Sequence, residues 1–161
     1  MVNNKQKLIL GHLRSDARKS FSDISRATGI PVTTVFDNYK KCLDQKIIAK
    51  HTSFIDFKRL GFFSRNFVFI KARNKKGLLE FLSNNPNVNS VFSVDKYDYQ
   101  AEVVFPGIKE YYDFLDCLHD FEILKLETHD LVEDLKTEGF LSSRMELGKI
   151  QVHSQSFNRN I

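Results

Sequence analysis

The chain has 161 residues, 42% of them hydrophobic, with two Cys, no Trp and a formal net charge of +4. That length suits one domain or two small ones, and the apolar content is enough for a packed core. No apolar run approaches the roughly 20 residues of a membrane helix, and polar Asn3, Asn4 and Lys5 stand where a signal peptide would need an apolar core, so a cytoplasmic protein without a membrane partner is expected. Cys42 and Cys117 each fall in an apolar helical stripe with no CxxC, and both are expected to be buried small hydrophobes rather than metal or redox groups.

The charge is unevenly divided. Residues 1–60 hold 12 Lys or Arg against 5 Asp, a net of +7, whereas residues 61–161 hold 12 against 15 Asp or Glu, a net of −3. A cationic first part can neutralise phosphates, and an acidic second part suits assembly or sensing.

In chain order, Ile9, Leu10 and Leu13 recur at helical spacing until Asp16-Ala17-Arg18 interrupts them. Ser20 followed by Asp23 has the spacing of a reciprocal capping box, and Ile24 and Ala27 then supply an inward face. Gly29 closes this short second helix, and Pro31 suits the first turn of a third. There Val35, Tyr39 and Cys42 point to one side, leaving Thr33, Thr34, Asp37, Asn38, Lys40 and Lys41 for solvent or a ligand. Short helices joined by a Gly-containing turn are the expected carrier of a DNA-recognition helix. Residues 47–49 and 52–57 then read as two short strands around Lys50 and His51, forming a wing.

From Phe62 the pattern becomes strand 67–72, helix 77–84, strand 88–94, strand 99–105, helix 108–119 and strand 123–132. Alternation in Phe67/Phe69 against Val68/Ile70 and in Ala101/Val103/Phe105 predicts strands with one covered face. This order is the split βαβ, ferredoxin-like unit. The expected organisation is α+β: a winged helix-turn-helix over 1–57, a linker over 58–61, a βαββαβ domain over 62–138 and an extension over 139–161. In the extension, Phe140, Leu141, Met145, Leu147, Ile150 and Val152 suggest a strand or short helix added to a neighbouring subunit, and the polar end, 154–161, suggests fraying.

The order of these parts and the strings Ile9-Leu10, Asp16-Ala17-Arg18, Asp23-Ile24-Ser25-Arg26, Thr28-Gly29-Ile30, Thr34-Val35, Ile47-Ile48, Leu60-Gly61 and Tyr97-Asp98-Tyr99 resemble the Lrp/AsnC family of transcription regulators, up to about Glu138. The resemblance implies a winged helix-turn-helix joined to a ligand-sensing ferredoxin-like domain. It also implies homodimers formed through the sheet, with further assembly, that bind short palindromic operators in double-stranded DNA, and small effectors such as amino acids held near the turn between the domain's second and third strands.

The DNA-facing set expected on this basis is Ser20, Ser22, Thr33, Thr34, Asn38, Lys40, Lys41, Lys50 and His51. In it Asn38 would read adenine, Thr33 and Thr34 would touch phosphate or a thymine methyl, and the lysines would hold the backbone. Where the family commonly carries several Arg, this helix has Phe36, Asp37 and Asn38; Phe36 is expected to pack, and Asp37 to pair with Lys41 one turn on. The effector set is Lys96, Tyr97, Asp98 and Gln100, with Lys96 where the family usually places Gly. A hairpin turn held by its Asp side chains, with no ligand, is the competing expectation.

Other classes have weaker carriers. A siroheme-decarboxylase-like branch of this architecture would need histidine, arginine and aromatic residues about the strand-turn-strand segment, but His51, His119, His129 and His153 are scattered singly. No Gly-rich phosphate loop or Ser/His/Asp order is present, and Glu133 and Asp134 read as a solvated face. An enzyme is not expected, nor a cofactor or metal. A DNA-free binding module that keeps the same architecture is the main alternative to a regulator.

Overall fold

The computed structural model describes residues 2–142. They form two compact units, one holding residues up to Ser53 together with those from Lys136 onward, the other Phe54–Leu135. The apolar positions 145–152 and the polar end of the extension lie outside the described residues.

The first unit contains α1 (Asn4–Ser15), α2 (Phe21–Thr28) and α3 (Val32–Asp44). The reciprocal capping box expected at Ser20 is found instead at α1, where Gln6 N–H donates to Asn3 Oδ1 at 2.8 Å and Asn3 N–H to Gln6 Oε1 at 2.9 Å. At α2 only half of it forms. Asp23 N–H donates to Ser20 Oγ, but the shorter Asp23 carboxylate accepts from the Ser20 hydroxyl at 2.7 Å and from Arg26 at 3.0 Å rather than reaching the Ser20 amide. Gly29 leaves α2 at φ 70°, a left-handed cap donating to Ser25 O at 2.8 Å. Pro31 sits one residue before α3 as its cap rather than in its first turn.

Ile9, Ile24, Ile30 and Val35 form this unit's core, with Leu8, Leu13 and Phe21 against them. Ala27, expected to face inward, is exposed, because Ile30 from the turn beyond α2 completes the packing. Residues 138–142 return to α1: Glu138 forms an ion pair with Arg14, whose Nε donates to Phe140 O at 3.2 Å, and the Ser15 hydroxyl donates to Ser142 O at 2.7 Å.

The two wing strands expected after α3 do not form; residues 49–56 have no regular secondary structure. The reason is local. Lys46 turns the chain at φ 55°, and the amides of Ile47 and Ile48 both fold back onto Cys42 O at 2.9 and 3.1 Å, so they close the helix instead of entering a ladder.

The second unit contains β1 (Ser64–Ala72), α4 (Lys75–Asn84), β2 (Val88–Phe92), β3 (Tyr99–Phe105), α5 (Ile108–Cys117) and β4 (Ile123–Asp130). The sheet order is β2-β3-β1-β4 with every neighbouring pair antiparallel. Period-two alternation sends Val68, Ile70, Ala72, Ala101, Val103 and Phe105 toward Leu78 and Leu82 of α4 and Tyr111, Phe114 and Leu118 behind them. Each such burial stabilises by roughly 1.5–3 kcal/mol for a Val- or Leu-sized group. The opposite face, which α4 and α5 do not cover, carries Phe67 and Phe69 with Glu102, Gln100, Glu127 and His129 as cross-strand partners.

The cysteines divide. Cys42 is buried, and that burial pushes its thiol up, while Cys117 is exposed because the inward face of α5 runs through 111, 114 and 118. Asp134 is exposed, in keeping with the expected solvated face, and accepts from Arg65 at 2.6 Å.

Candidate nucleic-acid interface

The outer face of α3 is the candidate interface. Thr33, Phe36, Asp37, Lys40 and Lys41 are exposed, and Thr34 is half-buried. Asp37 does not pair with Lys41, and neither lysine joins an ion pair among the described residues, so both ammonium groups are available to phosphate. Asn38 is the main correction. It is only 8% exposed, and its side-chain amide donates to Thr34 O at 2.8 Å. The spacing 35, 38, 42 places it on the same stripe as Val35 and Cys42, a signal present in the sequence and overridden there by the residue's polarity.

Ser20 Oγ is occupied by the α2 cap, whereas Ser22 beside it is exposed. Lys50 and His51 are exposed on the irregular segment after α3. A contact that sequence spacing does not reveal holds this segment: Tyr39 Oη and His51 Nε2 are 3.1 Å apart, their ring centroids 6.1 Å apart. Tyr39 also packs on Phe21 at 5.0 Å, and Phe21 meets Phe36 edge-on at 5.8 Å. Phe36 therefore packs on one side while 47% of it stays exposed.

The expected effector residues gather at the β2–β3 turn and have unequal freedom. Lys96 is exposed and occupies the left-handed region at φ 68°, the conformation a Gly would take without strain. Asp98 is a structural clamp. One carboxylate oxygen accepts from Lys75 Nζ at 2.6 Å and the other from Ala72 N–H at 3.0 Å, while its own amide donates to Ile70 O at 2.9 Å. Lys75 first, then the Ala72 amide, hold its carboxyl below the usual carboxylate range. Tyr97 packs on Phe69 at 5.6 Å with Lys125 Nζ 4.6 Å from its ring centroid. Gln100 is half-buried on the uncovered sheet face, opposite Phe69 and Phe92. Deeper on that face Glu102, 7% exposed, accepts from Arg65 Nε at 2.6 Å and from Asn89 at 2.7 Å.

Among the described residues no helix is long and apolar enough to cross a membrane, and no group of three or more His, Cys, Asp or Glu is placed to hold a metal ion.

A helix-turn-helix whose third helix carries cations unpaired among the described residues is thus followed by a four-stranded antiparallel sheet backed by two helices, and helix-turn-helix units of this kind present one helix to DNA. Residues 2–49 match the family model of winged helix-turn-helix DNA-binding domains. An uncharacterised HTH-type transcriptional regulator of Pyrococcus furiosus is 31% identical over 80 residues, a match spanning 50% of this chain and 53%, about half, of that protein. HTH-type transcriptional regulator FL11 of Pyrococcus horikoshii is 25% identical over 115 residues, 70% of this chain and 76% of that one. In fold, the chain matches the structure of Bacillus subtilis LrpC with a TM-score of 0.77 at 17% identity, covering 85% of this chain and 99% of that one. A Neisseria meningitidis transcriptional regulator solved as an L-Met complex matches with a TM-score of 0.78 at 14% identity, over 85% and 94%. The chain is thus similar in sequence to HTH-type transcriptional regulators, most clearly over its winged helix-turn-helix, and it shares the fold of the LrpC and AsnC structures.

Proposed function

We propose that the protein is a sequence-reading transcription regulator whose α3 enters the major groove of double-stranded DNA. The observation that carries this is the outer face of α3, where Lys40 and Lys41 stand without ion-pair partners among the described residues on a unit rich in basic charge. The exposure of Thr33 and Ser22 supports backbone contacts by both, and the Tyr39–His51 contact supports a role for His51 and neighbouring Lys50 at flanking phosphates, without wing strands. In this role the chain acts as a cytoplasmic homodimer or higher oligomer. Phe67 and Phe69 on the sheet face away from α4 and α5 support self-association.

A small effector such as an amino acid is sensed at the β2–β3 turn. Lys96 supplies a cation for a carboxylate, and Tyr97 and Gln100 supply polar groups; Asp98 shapes the turn through Lys75 and Ala72. The L-Met complex of the Neisseria neighbour is of that ligand class. Such an effector acts by binding one assembly or conformation better than another.

The test is binding of the purified chain to fluorescent duplex from its own upstream region and to a scrambled duplex across a salt series. Tighter binding to the first, with steep loss in salt, is expected. Absence of binding to either at low salt would replace the regulator with a DNA-free module.

A further inference from the structure

The geometry points to Val32 and Phe36 as readers of thymine methyl groups, so that the preferred duplex carries thymine opposite the N-terminal half of α3; this rests on the DNA-binding role proposed above. Long side chains read purines by bidentate hydrogen bonds, Arg on guanine and Asn or Gln on adenine. Residues 32–44 contain no Arg and no Gln, and their one Asn, Asn38, is spent inward on Thr34 O. What remains exposed in the half of the helix that meets base edges is Val32, Thr33, Phe36 and Asp37. Val32 is 42% and Phe36 47% exposed, and a spacing of four residues places them on one side of the helix, a turn apart.

The C5-methyl of thymine is the apolar group on base edges in the major groove, and it is the chemistry these two side chains complement. Removing methyl, isopropyl and phenyl surfaces from water together is favourable, and the edge contact of Phe36 with Phe21 fixes the ring before any DNA arrives. Lys40, one turn beyond Phe36, is placed to meet phosphate.

The experiment starts by selecting preferred duplexes from a random library with the full chain. Each thymine is then replaced singly by deoxyuridine, which removes the methyl and keeps every hydrogen-bonding group. Wild type should lose about fourfold in affinity at one or two positions, the worth of one buried methyl. Phe36→Ala should bind the thymine and uracil duplexes equally at its position, with native helicity verified by circular dichroism. Val32→Ser, which removes both methyl groups at an exposed site, should do the same at the neighbouring position. Sequence preference with no response to methyl removal, or the same response in both variants, would overturn the inference and leave the regulator standing. Failure to bind any duplex would remove the DNA-binding role itself.

Discussion

The N-terminal unit closes over Ile9, Ile24, Ile30 and Val35, whereas the sheet unit closes over eleven buried side chains drawn from two strands, two helices and the turn after α5. The first has little interior to spare, so the position of α3 depends on a few aliphatic contacts and on the caps at Asn3, Ser20 and Gly29. The second has a core large enough to hold unusual backbone, such as Lys96 in a left-handed turn, and an ionic network on its uncovered face. On the proposed function, the recognition surface is carried by the unit with the smaller core, and the larger core would serve as a platform for sensing and assembly.

The largest effects should come from core truncations that separate the two units. Ile24→Ala should remove about 2–5 kcal/mol from a core of four side chains and abolish duplex binding. Amide protection in β1 and β3 should persist, as hydrogen exchange would report. Leu82→Ala, with a similar local cost of about 2–5 kcal/mol, should lower protection in the sheet and spare helicity in α1 to α3. Loss of protection throughout the chain from either variant would mean that the units fold as one.

Next in size is the clamp at the β2–β3 turn. Asp98→Asn should cost about 1–2 kcal/mol by weakening charge-assisted bonds, measured by urea unfolding at neutral pH. Because the folded carboxyl titrates below its unfolded value, its contribution is complete above about pH 4 and is lost as pH falls through the folded value. Wild type should therefore lose more stability than Asp98→Asn on acidification, and parallel curves would show that the carboxylate carries no such contribution. Ser20→Ala should cost about 1 kcal/mol, read in the melting of the first unit, through loss of the α2 cap. The smallest perturbation is chemical. A thiol reagent should label Cys117 rapidly and leave Cys42 untouched in the native state, the buried thiol being held protonated.

Much of this organisation is legible in the residues because burial imposes a period. The alternation at 67–70 and 101–105 and the stripe 111, 114, 118 give the sheet, its register faces and α5 nearly to their ends. Legibility fails where hydrogen bonding, or packing by a neighbouring segment, overrides the local period. Asn38 is polar and yet turns inward because its amide finds Thr34 O; Ala27 is apolar and yet exposed because Ile30 fills its place. The wing strands were suggested by β-propensity, but the amides of Ile47 and Ile48 close α3. At the candidate interface the exposure of Lys40 and Lys41 on α3 is legible in the sequence. The exposure of Phe36 and the Tyr39–His51 contact depend on how α2, α3 and the segment beyond them pack.

The most direct test of the central claim is the salt dependence of duplex binding by wild type, Lys40→Ala and Lys41→Ala, measured by fluorescence anisotropy on one duplex. If these lysines contact phosphate, each variant should reduce the slope of log affinity against log salt by about 0.9 and weaken binding to specific and scrambled sequences alike. Unchanged slopes and affinities in both variants would contradict the placement of α3 on DNA.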